Sequence, residues 1–204
     1  MRFSHSVHPK VGTMRLTSVL LLSLACLLLG GLSGCVVSRQ DGPAAPGNAS
    51  LTTVLIVRHA EKATEPADDP PLTDAGRERA AALSRMTASS GVSVIYATQF
   101  LRTQQTVKPL ADELGLQVRT LDAKDVDGLV SQILAENSGQ TVVVAGHSDT
   151  VPMLVEKLTG ETPPPIEETE YDNLYVVTTS GPGNGKALRL RYGASTSPPA
   201  PAGD

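Results

Sequence analysis

Five apolar runs alternate with segments of helical spacing along the middle of the chain, and this alternation constrains the fold more than any other feature of the sequence. The segments with helical spacing cover residues 73–87, 101–114, 125–136 and 148–159. The apolar runs lie at residues 52–57, 92–97, 116–121, 140–146 and 173–179, and a weaker alternating run follows at 186–192. Strands that alternate with helices predict an α/β domain, a three-layer sandwich around a mostly parallel central sheet.

Glycine, proline and small polar residues mark the limits of these segments. Gly91, Gly115 and Gly160 follow helical segments and lie where a helix ends most easily. Pro109 lies inside the second helical segment, where we expect it to break or kink the helix. The patterned region predicts one domain over residues 51–192. The segments on either side of it, 35–50 and 193–204, are rich in Pro, Gly, Ala and Ser and predict a flexible tether and a disordered tail.

The first 34 residues have the composition of an export signal. Three basic residues precede the stretch LTSVLLLSLACLLLGGLSGC, which contains no charge. Its end, Leu32-Ser33-Gly34-Cys35, resembles the lipobox of bacterial lipoproteins, in which the cysteine is acylated and becomes the first mature residue. We therefore expect a protein of the cell envelope, anchored to a membrane by lipid on Cys35 and facing the periplasm or the exterior. A plain cleaved signal and an uncleaved anchor helix are the alternatives, and Met14 is a second candidate start.

Charge and composition exclude nucleic acid as the expected partner. Without the three basic residues of the signal, 14 basic residues face 21 acidic ones, a net charge of −7. Binding to a phosphate backbone requires the opposite sign. Aromatic residues that could stack on bases are also scarce, with no Trp, two Phe and four Tyr. Cys26 leaves with the signal and Cys35 would carry lipid, so we expect no disulfide in the domain.

Both histidines of the patterned region follow apolar strands directly. The stretch TTVLIVRHAEK ends a strand in Arg58-His59, and TVVVAGHSDT places His147 after a second strand. The other two histidines of the chain, His5 and His8, belong to the export signal. Ligands of open α/β sheets bind beyond the carboxyl ends of the strands. We therefore expect His59, Arg58 and His147 in one pocket.

A third segment adds a positive charge to this predicted pocket. In VIYATQFLRTQQTV a strand through Ala97 leads into a helix near Leu101, for which Thr98 is a plausible N-cap. Arg102 would then lie in the first helical turn, close to free backbone N–H groups and the positive end of the helix dipole. Two arginines and two histidines together form a cationic pocket suited to phosphate.

Four motifs resemble those of the histidine phosphatase superfamily, which has the phosphoglycerate-mutase-like fold. LIVRHAEK is similar to its Arg-His-Gly/Ala signature and PPLTDAGRERAAAL to its Pro-Leu-Thr-x-x-Gly segment. YATQFLRTQQTVKPLADELG resembles the second arginine motif and VVVAGHSDTVPML the second histidine motif. The four motifs occur in the family's order and cover roughly residues 52–179. Four motifs in order are far more specific than one.

The resemblance implies a role for each of these residues. His59 would be the nucleophile, while Arg58, Arg102 and His147 would bind the phosphoryl group. An unprotonated imidazole attacks phosphorus to give a phosphohistidine, which water then hydrolyses. Preplaced cations neutralise the charge on the equatorial oxygens, so the scheme needs neither a metal nor a cofactor. The neighbouring cations should also keep His59 unprotonated.

The general acid is less well specified by the resemblance. Related mutases use a Glu in a longer insertion, and acid phosphatases place an Asp directly after the second histidine, where this chain has Ser148. Glu61, two residues after the predicted nucleophile, is the first candidate and Asp149 the second. Either carboxylate could instead orient Arg58 or Arg102.

Other functions fit the same residues less well. GHSDT resembles a nucleophile elbow around Ser148, but that family needs a histidine later in the chain and none follows His147. A metal bound by His59-x-Glu61 and His147-x-Asp149 would be opposed by the adjacent arginines. A binding module for phosphorylated ligands and a phosphomutase remain as alternatives to a phosphatase.

The spacing of the motifs bears on the substrate. Only 44 residues separate Arg102 from His147, which is short for a substantial lid and favours an open pocket. An open pocket favours hydrolysis over a mutase reaction and admits a phosphorylated small molecule, a glycan or a phosphoprotein. The acidic segment ATEPADDPP, residues 63–71, is predicted to form part of the rim and to disfavour highly anionic substrates.

Overall fold

Six strands and four helices follow one another in the order that the sequence predicts. In the computed structural model, residues 50–196 are described. The elements are β1 (Thr52–Arg58), α1 (Asp74–Thr87), β2 (Val92–Thr98), α2 (Leu101–Leu114), β3 (Val118–Leu121), α3 (Val126–Glu136), β4 (Thr141–Gly146), α4 (Thr150–Thr159), β5 (Asn173–Thr179) and β6 (Lys186–Arg191). All agree within two residues with the predicted segments. The predicted export signal, the lipid site at Cys35 and nearly all of the tether lie outside the described residues.

The strands form one mixed sheet in the order β3-β2-β4-β1-β5-β6. The first four of these pair in parallel, whereas β5 runs antiparallel to β1 and β6 antiparallel to β5. The mostly parallel sheet is therefore confirmed. Parallel pairing matters for the site, because it brings the carboxyl ends of β2, β4 and β1 to the same edge of the sheet.

Helices cover both faces of the sheet, as a three-layer sandwich requires. On one face, α3 and α4 pack through Ile133, Leu154 and Leu158 against strand residues such as Ile56 and Val144. On the other face, α1 and α2 pack through residues that include Leu83, Val107 and Leu110 against Val57 and Ile95. Successive residues of a strand point to opposite faces, so a strand that is apolar along its whole length contributes to both cores. This explains the continuous apolar runs of β1, β2 and β4.

Two of the three predicted glycine positions end helices. Gly115 and Gly160 follow α2 and α4 in the left-handed conformation, with φ of 65° and 78°, which a residue without Cβ adopts at little cost. Gly91 differs, because α1 ends at Thr87 and is capped by Ala88. Gly91 instead lies in the turn that leads into β2, with φ of 70°.

The expected break at Pro109 is wrong, because α2 continues through it from Leu101 to Leu114. Proline removes one backbone hydrogen bond of the helix, but burial of an apolar stripe can outweigh that loss. Thr106, Val107, Leu110 and Ala111 of α2 are all buried. Packing against the sheet therefore holds the helix on both sides of the proline.

Ordered contacts extend beyond the predicted end of the domain at residue 192. Ala194 O accepts a hydrogen bond from Arg79 Nη2 at 2.8 Å, and Thr196 Oγ1 accepts one from the Tyr171 backbone N–H at 2.8 Å. The first four residues of the predicted tail are thus part of the packed domain. Within residues 50–196, none of the helices combines the length and apolar character needed to cross a lipid bilayer.

Candidate active site

A pocket of 490 Å³ opens at the edge of the sheet where β1, β2 and β4 end. His59 follows β1 and donates its backbone N–H to Gly146 O at 2.9 Å, which extends the pairing of β1 with β4. His147 follows β4, and Arg102 lies in the first turn of α2. The pocket is lined by His59, His147, Arg58 and Arg102 together.

The His59 ring is held in the tautomer that a nucleophile requires. Its Nδ1 lies 2.8 Å from the Ala60 carbonyl oxygen, which can only accept a hydrogen bond. Nδ1 therefore carries the proton, and Nε2 keeps its lone pair. Burial, together with the charges of Arg58, His147 and Arg102, lowers the pKa of His59 to about 3, although the Ala60 hydrogen bond opposes them. The imidazole is unprotonated at any neutral or mildly acidic pH.

A chain of hydroxyl groups fixes the tautomer of His147. Its Nε2 lies 3.0 Å from Thr98 Oγ1, which lies 2.8 Å from Thr103 Oγ1. Thr103 donates its own proton to Phe100 O at 2.7 Å, so the Thr98 proton goes to Thr103 and Thr98 accepts from His147. Burial and Arg102 lower the pKa of His147 to about 4, with Asp149 opposing. His147 is therefore neutral near pH 7 and carries its proton on Nε2. The centroids of the His147 and His59 rings are 5.5 Å apart.

Arg58 is fixed by the segment between α4 and β5, residues 160–172, which we call the β5 loop. Its Nη1 donates to three backbone carbonyls, those of Glu167, Glu168 and Glu170, at 2.8, 2.9 and 3.1 Å. Its Nη2 donates to Glu168 Oε2 at 3.0 Å. The ring of Tyr171 covers the guanidinium at 4.4 Å. The sequence did not indicate that this loop belongs to the site.

Two buried guanidinium nitrogens at the pocket lack a protein acceptor among the described residues. Within residues 50–196, Arg58 Nε and Arg102 Nε are buried and have no hydrogen-bond partner. A buried donor without an acceptor costs about 1–3 kcal/mol. Both arginines line the pocket, so an anion bound there would lie beside two guanidinium charges.

The predicted rim segment 63–71 does reach the site, through Asp69. Its carboxylate accepts the Leu101 backbone N–H at 2.9 Å and lies 3.8 Å from Arg102 Nη1. Asp69 thereby caps the start of α2, the position that the sequence assigned to Thr98. Phe100 is the N-cap residue by position but makes no side-chain cap, and its ring lies 4.2 Å from the Arg102 guanidinium. Asp69 therefore supplies the side-chain cap at the start of α2, whereas Thr98 accepts a hydrogen bond from His147.

Glu61, the first candidate general acid, does not line the pocket. Its carboxylate makes a two-pronged ion pair with Arg79, with Oε1 2.7 Å from Nη2 and Oε2 2.9 Å from Nε. Arg79 Nη1 also donates to Tyr192 O at 2.8 Å. The sequence left orientation of Arg58 or Arg102 as the alternative role of this carboxylate. Glu61 does orient an arginine, but that arginine is Arg79 on α1. Through Arg79, this network connects the segment after His59 to α1 and to Tyr192, which follows β6.

Asp149, the second candidate acid, does line the pocket. It also precedes α4 and accepts the Thr150 backbone N–H at 2.8 Å. The described residues, 50–196, contain no group of three or more His, Cys, Asp or Glu side chains arranged to hold a metal ion. Of the two carboxylates in the metal motifs considered above, Glu61 pairs with Arg79 and Asp149 caps α4.

The lowered histidine pKa values predict that acid destabilises the fold. In the unfolded chain both imidazoles protonate near pH 6.5, whereas in the folded state they do so near 3 and 4. Between these values the unfolded state binds more protons, so stability is full above pH 6.5 and is lost as the pH falls. Each group contributes about 1.4 kcal/mol for each pH unit of that interval.

Urea unfolding at pH 7.0 and 4.5 measures this loss. Carboxylates add their own dependence on pH, so the comparison is with the double variant His59→Gln/His147→Gln. We expect the wild type to lose at least 2 kcal/mol more than the double variant, by the same arithmetic. Equal losses of unfolding free energy in the two proteins would contradict the lowered pKa values of His59 and His147.

Comparison with known proteins agrees with this geometry. A family model for the histidine phosphatase superfamily, branch 1, matches residues 54–124. This range holds His59, Arg58 and Arg102. No curated protein sequence matches the chain.

Solved structures show the same fold. The protein histidine phosphatase SixA complexed with tungstate is 28% identical, with a TM-score of 0.56, over 68% of this chain and 96% of the other. A protein of Nakamurella multipartitia assigned as phosphohistidine phosphatase SixA is 22% identical, with a TM-score of 0.55, over 72% and 98%. A mycobacterial glucosyl-3-phosphoglycerate phosphatase is 14% identical, with a TM-score of 0.56, over 71% and 100%.

Proposed function

Because the chain belongs to the histidine phosphatase superfamily, we propose that it hydrolyses a phosphate ester or phosphoamidate through a covalent phosphohistidine at His59. One observation carries the proposal. An imidazole with an unprotonated Nε2 lies in a pocket with the buried Arg58 and the partly buried Arg102, each of which has a buried nitrogen without a protein partner. This is the combination that in-line attack on a phosphoryl group needs.

The first step transfers the phosphoryl group to His59. The Ala60 carbonyl keeps the proton on Nδ1, so Nε2 can attack phosphorus without first losing a proton. Negative charge spreads over the equatorial oxygens, which Arg58 and Arg102 neutralise. Arg58 needs no reorganisation, because the three carbonyls of the β5 loop already fix it. Water then hydrolyses the phosphohistidine.

The second histidine is a hydrogen-bond partner for the phosphoryl group. His147 Nε2 is committed to Thr98, so Nδ1 is the nitrogen that can face the substrate. Phosphate is an acceptor, and a dianion beside the imidazole favours the protonated ring. We propose that His147 takes up a proton when phosphate binds and then donates from Nδ1. The pKa of about 4 is that of the empty pocket.

The charges around the pocket bear on the chemical class of the substrate. The similar structures named above include a protein histidine phosphatase and a glucosyl-3-phosphoglycerate phosphatase. Asp69 and Glu168 lie beside the two arginines and would repel additional negative charge. We propose a substrate with one phosphoryl group and few other anionic groups nearby, on a small molecule, a glycan or a protein.

The direct test is phosphate release by the full-length chain, purified in mild detergent. A panel would include an aryl phosphate, alkyl phosphates, a glycosyl phosphate and a phosphohistidine peptide. Tungstate, a tetrahedral dianion that one similar structure contains, should inhibit competitively with the substrate. Binding of phosphorylated ligands without turnover of any of them would favour the binding-module alternative. Phosphoryl transfer between two positions of one substrate would favour the mutase.

The N-terminal sequence motivates a proposal about location. We propose that acyl chains on Cys35 hold the protein at a membrane of the cell envelope. More than one chain is needed for stable anchoring, because a single acyl chain binds only marginally. Cys35→Ala should therefore block lipid incorporation and release the protein from the membrane fraction, measured by labelled fatty acid and fractionation. Ser38→Ala, a substitution in the tether, is the control and should leave both unchanged. Unaltered labelling and fractionation of Cys35→Ala would exclude the anchor.

A further inference from the structure

Glu168 lies at the mouth of the pocket, in the β5 loop that fixes Arg58. Its side chain is 81% exposed, whereas that of its ion-pair partner Arg58 is 2% exposed. The residue lines the same pocket as His59 and His147. None of the motifs that identify the pocket in the sequence includes it.

The Glu168 carboxylate connects the two strand ends that form the site. Oε2 accepts from Arg58 Nη2 at 3.0 Å, and Oε1 accepts from Ser148 Oγ at 3.0 Å. Arg58 ends β1, and Ser148 follows His147 beyond β4. The carboxyl group is thus held next to the phosphoryl position by side chains from both strands.

The departing group of the substrate must point towards this mouth. His59 lines the pocket and is only 3% exposed, whereas the Glu168 side chain is 81% exposed. Attack on phosphorus proceeds in line, so the leaving oxygen lies on the side of phosphorus away from the nucleophile. A substrate seated on His59 therefore directs its leaving group outwards, where the exposed Glu168 lies.

The bound phosphoryl group changes the surroundings of Glu168. In the empty pocket Arg58 neutralises the carboxylate, but a bound phosphate competes for the same guanidinium. Two negative groups beside one arginine favour the uptake of a proton between them. Of the other carboxyl and imidazole groups that line the pocket, Asp149 caps α4, His59 is the nucleophile and His147, whose Nε2 is bonded to Thr98, faces the phosphoryl group through Nδ1.

We propose that Glu168 is a catalytic residue that protonates the leaving group, an inference that rests on the phosphohistidine mechanism above. His59 Nε2 forms a bond to phosphorus while the bond from phosphorus to the ester oxygen breaks. That oxygen keeps the electron pair and takes the carboxyl proton of Glu168, so an alcohol departs. In the second half, the Glu168 carboxylate accepts a proton from the attacking water. The bond between phosphorus and Nε2 breaks, its electron pair returns to His59, and phosphate leaves with Glu168 protonated again.

Dependence on the leaving group distinguishes this role from a structural one. An alkoxide is strongly basic and needs a proton to depart, whereas 4-nitrophenolate needs one much less. General acid catalysis contributes roughly 10²–10⁴-fold. With the full-length protein, Glu168→Gln should lower kcat/KM for an alkyl phosphate by about 100-fold or more. The loss with 4-nitrophenyl phosphate should be at least about tenfold smaller.

Two further variants sharpen the test. Glu168→Asp keeps the proton and should recover part of the alkyl phosphate activity. Glu161→Gln makes the same change of charge at an exposed position outside the pocket and should leave both substrates unaffected. Its carboxylate makes no contact to Arg58 or Ser148.

Other outcomes would overturn the assignment. Equal losses with both substrates would mean that Glu168 only positions Arg58, and no loss would mean that it has no part in the reaction. A gain in kcat/KM would mean that the carboxylate competes with the substrate for Arg58. If the wild type forms the His59 adduct and these outcomes appear, only the role of Glu168 fails. If no adduct forms at all, the phosphohistidine mechanism fails instead.

Discussion

Replacing His59 with alanine is expected to remove a covalent phosphohistidine adduct and nearly all phosphate release. The nucleophile itself disappears, so the loss should exceed the roughly 10²–10³-fold that removal of one charge-stabilising donor costs. The adduct is measured by rapid acid-free quenching with radiolabelled substrate, because a phosphohistidine is labile in acid and stable in base. The label should be found on the peptide that contains His59.

Arg102→Ala is the informative comparison for this experiment. It removes one cation from the pocket and leaves His59 intact, so we expect slower labelling that corresponds to about 3–4 kcal/mol. His59→Asn keeps a polar side chain of similar size and tests whether the pocket still folds. Substantial turnover by His59→Ala, or its loss from the wild type on addition of a chelator, would rule out the covalent histidine mechanism and support a bound metal.

Replacing Glu61 with alanine is expected to destabilise the domain without removing its chemistry. The Glu61 and Arg79 side chains are only 18% and 2% exposed, and their carboxylate and guanidinium meet at 2.7 Å. Removing one partner of a buried ion pair leaves an uncompensated charge and costs about 3–5 kcal/mol. Urea unfolding at pH 7 measures this loss. In the same protein, kcat/KM at low temperature should stay close to the wild-type value, because Glu61 does not line the pocket.

Glu78→Ala is the matched control, since it removes an exposed carboxylate from the same part of the molecule. We expect its free energy of unfolding to change by less than about 0.5 kcal/mol, as for most surface substitutions. A stable Glu61→Ala protein with little activity would restore the general-acid role that the sequence suggested. A double replacement, Glu61→Gln with Arg79→Met, should recover part of the lost stability.

The fold could be predicted because its elements are encoded locally. Each strand that is buried on both faces is a continuous apolar run, and each helix has an apolar stripe at helical spacing. The alternation of the two then leaves few arrangements of the sheet. His59 and His147 could be placed in one pocket for the same reason, since the parallel pairing of β1 with β4 brings the ends of both strands together.

The carboxylates could not be assigned, because their partners are distant in the sequence. Glu61 is two residues from the nucleophile but bonds to Arg79, 18 residues away. Asp69 reaches Leu101 across 32 residues, and Glu168 reaches Arg58 across 110. Sequence spacing predicts where a backbone element runs, but it does not predict which way a side chain in a loop turns. The β5 loop has no periodic pattern, so its contribution to the site had no signal in the sequence.

The first and last described residues of the domain lie near opposite ends of the central strands. The chain enters at Thr52, and β1 carries it about 20 Å, at roughly 3.3 Å for each residue, to Arg58 at the pocket. The chain leaves beside the pocket, since Thr196 bonds to Tyr171, whose ring covers Arg58. A bulky label attached directly ahead of Ser50 should therefore leave the approach of a macromolecular substrate open, whereas the same label attached directly after Thr196 would crowd it. Immobilisation through the N-terminus is the orientation in which an attached enzyme should keep its full range of substrates.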